Sequence, residues 1–169
     1  MDTQVRKLDY DNIDPEIMKE AGDIIRAGGL VAFPTETVYG LGGDALNPRS
    51  SMKIYAAKGR PSDNPLIVHI EERADLYKIA AKVPEKAEKM MDAFWPGPLT
   101  LIFPKTDRVP SETTGGLDTV AVRMPSDGIA AAFIRAAGGF IAAPSANVSG
   151  RPSTTSTPSI FATVSGFSW

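Results

Sequence analysis

Asp14-Pro15-Glu16-Ile17 opens, and Gly28-Gly29-Leu30-Val31-Ala32-Phe33 closes, the stretch on which the reading of the fold turns. Asp14 is a capping carboxylate, and Pro15 takes the first helical position, where its missing N–H costs nothing. Ile17, Ala21, Ile24 and Ile25 recur at helical spacing, and the paired glycines supply a stop. The apolar run at 30–33 then has the character of a buried strand. The same passage from helix to strand recurs down the chain. A helix is expected at about 50–58, a strand at 65–70, and helices at 71–82 and 84–94. Trp95-Pro96-Gly97-Pro98 breaks the last of these as a rigid corner and leads into a strand at 99–103. Beyond a polar loop at 104–117, residues 119–123 read as a strand. Ser126 caps a helix that runs to Gly138-Gly139, and 140–143 is the last clear strand. This alternation predicts an α/β or mixed α+β layered domain. No internal repeat or splitting linker interrupts residues 1–169, so one domain is expected.

The 169 residues are 43% apolar and 22% charged, which fits a single globular core. A net charge of −2 argues against a surface that holds nucleic acid everywhere, so any anion site must be a local concentration of cations. The chain has no cysteine, which excludes disulfides and thiolate metal sites, and its single histidine excludes a histidine-rich zinc site. No window approaches the roughly 20 apolar residues of a membrane span. The first 20 residues lack the apolar centre of a signal peptide. A cytoplasmic protein is expected.

Local cation density is found between Asp44 and Asp63, where the only charged residues are Arg49, Lys53, Lys58 and Arg60. The turn Lys58-Gly59-Arg60-Pro61 either complements a helix dipole or presents a guanidinium fork and an ammonium to a polyphosphate. A second candidate, Ala143-Pro144-Ser145-Ala146-Asn147, follows a predicted strand, where α/β folds place ligands. Ser145 and Asn147 share a face if the chain stays extended, although turn formation explains the same residue types. His69 lies on a predicted strand as a ligand or as a satisfied structural group. Arg123 closes an apolar run as a surface end-cap or a carboxylate clamp. The segment Gly40-Leu41-Gly42-Gly43-Asp44-Ala45 matches a dinucleotide-binding fingerprint in form only. Asn47-Pro48 interrupts the helix that such a loop must feed.

Four blocks together resemble the signature of the YrdC/YciO family. They are Phe33-Pro34-Thr35-Glu36-Thr37-Val38-Tyr39-Gly40-Leu41-Gly42; Lys58-Gly59-Arg60-Pro61 with Asn64-Pro65-Leu66; Trp95-Pro96-Gly97-Pro98-Leu99-Thr100; and Pro144-Ser145-Ala146-Asn147-Val148-Ser149-Gly150. They stand in family order with compatible spacing, and the resemblance covers about residues 14–152. It implies a YrdC/RibB-like, twisted, open, largely parallel sheet flanked by helices around a large basic cavity. It implies synthesis of threonylcarbamoyl-AMP from ATP, L-threonine and bicarbonate, with Mg2+ accompanying the ATP and pyrophosphate released. A separate transferase complex would then pass the threonylcarbamoyl group to tRNA. Carried over position by position, Thr37, His69, Arg123 and Ala143 are expected to bind threonine. Arg60, Asn64, Thr119, Ser145 and Ser153 are expected to bind ATP. Lys58, Arg60, Ser145 and Asn147 form the expected catalytic group, and no metal ligand of the protein's own is implied.

The resemblance ends near Pro152. Family members continue with another helix and strand, whereas residues 153–169 are rich in serine and threonine, almost uncharged and without a clear period. Ile160, Phe161, Val164, Phe167 and Trp169 can form a short apolar strip, or the terminus can fray. The expectation is an atypical tail that lacks the last family helix and strand, leaves an edge exposed and impairs activity. The alternative function is a module that binds RNA or nucleotide in the same cavity without turnover, marked by steep salt dependence.

Overall fold

In the computed structural model the described residues are 3–147 and, as backbone, the strand at 160–164. Helix α1 (Pro15–Arg26) begins as its sequence dictates: the Asp14 side chain accepts from the Glu16 N–H, and Pro15 follows the cap. Met18, Ala21, Gly22 and Ile25 form its buried face. Gly28, at φ 78°, turns the chain out of the helix, with the N–H groups of Gly28 and Gly29 returned to the carbonyls of Ile25 and Ile24. Strand β2 (Leu30–Phe33) follows directly.

The glycine-rich segment is itself a strand, β3 (Gly40–Asp44), antiparallel to β2. Its glycines are explained by what packs over them. A Cβ on Gly42 would lie 2.9 Å from Ile141 Cγ2 and 3.0 Å from the Phe33 ring, and one on Gly43 would lie 3.0 Å from Leu30. Helix α2 (Pro48–Lys58) starts two residues before the expected position because Asn47 caps it through the Arg49 N–H and Pro48 follows. It stops at Gly59, which adopts the left-handed conformation at φ 58°. Strand β4 (Ile67–His69), helices α3 (Arg73–Ile79) and α4 (Glu85–Phe94), strand β5 (Thr100–Pro104) and strand β6 (Thr119–Arg123) come next. The corner at Trp95-Pro96 is a cis peptide, and the Trp95 indole N–H donates to the Leu99 carbonyl. Helix α5 (Gly128–Ala136) is capped by Asp127, whose carboxylate accepts from the Ala130 N–H, and not by Ser126. The two-residue strand β7 (Ile141–Ala142) leads to the second motif loop.

Two further strands complete the sheet. Strand β1 (Thr3–Lys7) and strand β8 (Ile160–Val164) give the order β1-β8-β2-β3-β7-β4-β6-β5. Strand β8 lies between β1 and β2, a place for which the sequence analysis assigns no strand. The rest of the tail, with Ser153, falls outside the described residues. The sheet is mixed rather than largely parallel: among the described pairs only β4 and β6 run in the same direction. The reason is local, since the loops at 34–39 and 105–118 return the chain along the adjacent strand and not through a helical crossover.

Side chains from successive strand residues enter opposite layers. Val31, Phe33, Ile141 and Ala143 pack with α1 and α5, while Leu30 and Ala142 pack with α2, α3 and the strands on the other face. Helices therefore cover both faces, and β7, β4 and β6 lie side by side within the sheet, where the 34–39 loop reaches across to Arg123.

Candidate active site

Between that loop and these strands lies a cavity of about 320 Å³. The 34–39 loop contributes Thr35, Thr37, Val38 and Tyr39, and the strand ends contribute His69, Arg123 and Ala143. Arg60, Pro65, Pro144 and Ser145 complete its polar side. Sheet pairing sets these positions. His69 is register partner to Arg123 on β6 and to Ile141 on β7, while Gly40 bridges Ser145. Backbone bonds from Leu41 to the Pro144 carbonyl (2.9 Å) and from Ala146 to the Tyr39 carbonyl (2.7 Å) tie the loop after β7 to the start of β3.

The cations are held in different ways. Lys58 is only 4% exposed and turns its ammonium inward, donating to the carbonyls of Ser145 and Asn147 and, at 3.4 Å, to Asn147 Oδ1. Burial, with the charge of Arg60 adding to it, holds Lys58 below the ordinary lysine pKa. Arg60 donates through Nη2 to the Pro65 carbonyl, and its Nε–H is buried without a partner among the described residues. Arg123 places both Nη groups 3.3 Å from Thr37 Oγ1 and pairs through Nη2 with Glu36 at 2.7 Å. The Ser145 hydroxyl donates to Asn147 Oδ1. Cationic donors thus surround a small space that opens beside neutral hydroxyl and amide groups, an arrangement suited to a small carboxylate next to a polyphosphate.

His69 is 3% exposed, and its Nδ1–H donates to the Ile67 carbonyl at 3.2 Å. Its ring edge meets Phe33 in a T-shaped contact at 6.2 Å. Burial first, and the Arg123 charge second, lower its pKa from 6.5 to about 4, so the ring is neutral at physiological pH. A base with a depressed folded-state pKa takes up its proton on unfolding. Its contribution to stability is therefore complete above pH 6.5 and is lost as pH falls toward 4, up to about 3 kcal/mol. Denaturant titrations between pH 7 and pH 4 are expected to show a steeper loss for the native chain than for His69→Gln. Equal slopes would contradict this assignment.

Of the positions singled out in the sequence, Thr37, His69, Arg123, Ala143, Arg60 and Ser145 line this one cavity, and Lys58 and Asn147 adjoin it through the Ser145 loop. Asn64 is exposed immediately before the lining residue Pro65, and Thr119 stands at the far end of β6 from Arg123. Neither lines the cavity. Sequence reasoning assigned no role to Glu36, whose partner is distant along the chain. It also read Lys58 as a projecting cation, whereas the ammonium is buried against carbonyls. Among the described residues no group of three or more histidines, cysteines or carboxylates is placed to hold a metal ion. No helix among them is long and apolar enough to cross a membrane.

The fold and cavity define an α/β domain with cationic side chains gathered around one cavity. The chain belongs to the Sua5/YciO/YrdC family, whose model, described as "Telomere recombination", matches residues 23–166. It is 57% identical over 136 residues to the threonylcarbamoyl-AMP synthase of Pyrococcus abyssi, covering 80% of this chain and 40% of that protein. It is 55% identical over 143 residues to the Bacillus subtilis enzyme of the same name, covering 84% and 41%. Among solved structures, P. abyssi Sua5 complexed with L-threonine superposes with a TM-score of 0.84 at 54% identity, over 86% of this chain and 43% of that one. E. coli YciO superposes at 0.74 with 25% identity, over 83% and 68%. The chain thus spans about two fifths of the length of these P. abyssi and B. subtilis relatives.

Proposed function

We propose that this chain is a nucleotidyltransferase that makes threonylcarbamoyl-AMP and pyrophosphate from L-threonine, bicarbonate and Mg-ATP. The observation that carries this reading is the convergence of Thr37, His69, Arg123 and Ala143 on one cavity, beside Arg60 and Ser145. Arg123 offers the threonine carboxylate a guanidinium already fixed by Glu36 and Thr37. Neutral His69 and the Thr37 hydroxyl are suited to hydrogen-bond the polar groups of the amino acid, and Ala143 supplies its apolar contact. Bicarbonate takes a proton and loses water to give CO2, which the threonine amine takes up, losing a proton, to give a carbamate. A carbamate oxygen attacks the α-phosphorus of ATP, and the bond to pyrophosphate breaks.

No enzyme nucleophile is required, so the protein contributes position and charge. Arg60 lines the cavity, has an Nε–H with no partner among the described residues, and would share the phosphate charge. Lys58 fixes the loop that carries Ser145 and Asn147. Ser145 and Asn147 would offer neutral oxygens toward ATP, whose Mg2+, bound as part of the substrate, would neutralise phosphate charge. Asn64, Thr119 and Ser153 are proposed for the part of the nucleotide that extends beyond the cavity. We place the protein in the cytoplasm, supplying the adenylate to a threonylcarbamoyl-transferase complex that acts on tRNA. Pyrophosphate release from Mg-ATP tests the reading. It is expected only when threonine and bicarbonate are both present, and release that ignores either one would contradict it.

A further inference from the structure

Glu36 lies between two cavity residues, Thr35 and Thr37, yet is not among the residues that line the cavity. Its carboxylate instead reaches Arg123 from outside that space. Oε1 is 2.7 Å from Nη2, with the two side chains 19% and 11% exposed. The same guanidinium spans Thr37 Oγ1 with both Nη groups, while its Nε–H is buried without a partner among the described residues. Arg123 is therefore gripped by two consecutive residues of the 34–39 loop, one ionic and one neutral, while part of its donor set remains unused. An arginine so enclosed needs an anionic partner. Without one, a largely enclosed charge shares the cavity lining with a second cation, Arg60, and the long side chain can swing toward water.

We propose that Glu36 is a positioning residue: by its ion pair it fixes the Arg123 guanidinium in the cavity so that an amino-acid carboxylate meets a pre-oriented donor. The inference deepens the proposed function and rests on it for the identity of the carboxylate. Glu36 sets the orientation of Arg123 without touching the ligand, and it ties the loop between β2 and β3 to the end of β6. Its neighbour His69 registers both charges, Arg123 lowering its pKa and Glu36 raising it.

The test compares the native chain with Glu36→Gln and Glu36→Asp by calorimetric titration with L-threonine and, separately, with Mg-ATP. Loss of the charge in Glu36→Gln is expected to weaken threonine binding about tenfold or more. Affinity for Mg-ATP should be unchanged, and Glu36→Asp should recover part of the loss. Threonine affinity in Glu36→Gln equal to or tighter than native would overturn the proposal, because a carboxylate that merely neutralised Arg123 would sharpen anion binding when removed. A second readout does not depend on the ligand: modification of Arg123 by phenylglyoxal, followed by peptide mass spectrometry. The rate should rise several-fold in Glu36→Gln, and an unchanged rate overturns the positioning role. If the native chain binds no threonine while that rate rises, the proposed function fails and the positioning role stands.

Discussion

Lys58→Ala is expected to leave a folded protein that forms product at about one hundredth of the native rate or less, a loss of the size seen when a preorganised charge-stabilising donor is removed. The ammonium of Lys58 is the point where the end of α2 and the loop after β7 meet, through two carbonyls and the Asn147 amide oxygen. Alanine removes the charge and frees the segment that positions Ser145 and Asn147. The stability loss should be modest, about 1–3 kcal/mol, since the carbonyls can take up water where the side chain stood. A Lys58→Ala protein with activity within tenfold of native would show that the clamp is dispensable. Guanidinium does not replace it, because its planar fork does not fit two carbonyls that converge on one nitrogen. Lys58→Arg is expected to be nearly as impaired.

The second large effect is on stability. Phe33 is fully buried, 4.8 Å from Phe133 in a tilted ring pair, and in contact with His69. Its ring edge also fills the space above Gly40 and Gly42, where a Cβ would lie 3.0–3.3 Å from its atoms. Phe33→Ala therefore opens a cavity beneath the site that glycines cannot fill, and the expected cost is about 3–5 kcal/mol. Denaturant midpoints measure it. Phe33→Leu, nearer in volume, is expected to cost much less, and a loss below about 1 kcal/mol in the alanine variant would contradict this packing role.

Elements specified by neighbouring residues were readable from the sequence. Asp14-Pro15 and Gly28 bound α1 as expected, and Gly59 ends α2, because caps and left-handed turns depend on one or two side chains. Strand β3 was not readable as a strand, since three of its five residues are glycine and its conformation is imposed by Phe33, Leu30 and Ile141 from elsewhere. The polar strand β1, with Gln4 and Arg6, lacks the apolar run that marks a buried strand and depends on pairing with β8. Strand direction was equally hidden: it follows from the loops at 34–39 and 105–118, whose composition does not announce a reversal. For the helix after Arg123, Ser126 and Asp127 are both good caps, and the backbone selects Asp127.

The candidate site divides in the same way. Arg123 is noticeable because it closes an apolar run and His69 because it is the single histidine of the chain on a predicted strand, and sheet register makes them neighbours. The inward turn of Lys58 and the pairing of Glu36 with Arg123 are contacts between distant segments, so composition and spacing carry no trace of them. Their effect is to convert a net-acidic chain into one with a locally cationic cavity, in which Lys58, Arg60 and Arg123 are all engaged before any ligand arrives.

The central claim is that the cavity joins three substrates into one adenylate. Its most direct test is to incubate the purified chain with Mg-ATP, L-threonine and isotopically labelled bicarbonate, and to resolve the nucleotides by chromatography with mass detection. The expected result is one labelled carbon in a new adenylate that also contains threonine, formed together with pyrophosphate and absent from Lys58→Ala protein. Nucleotides that carry no bicarbonate label, from a chain shown to bind both ATP and threonine, would contradict the claim.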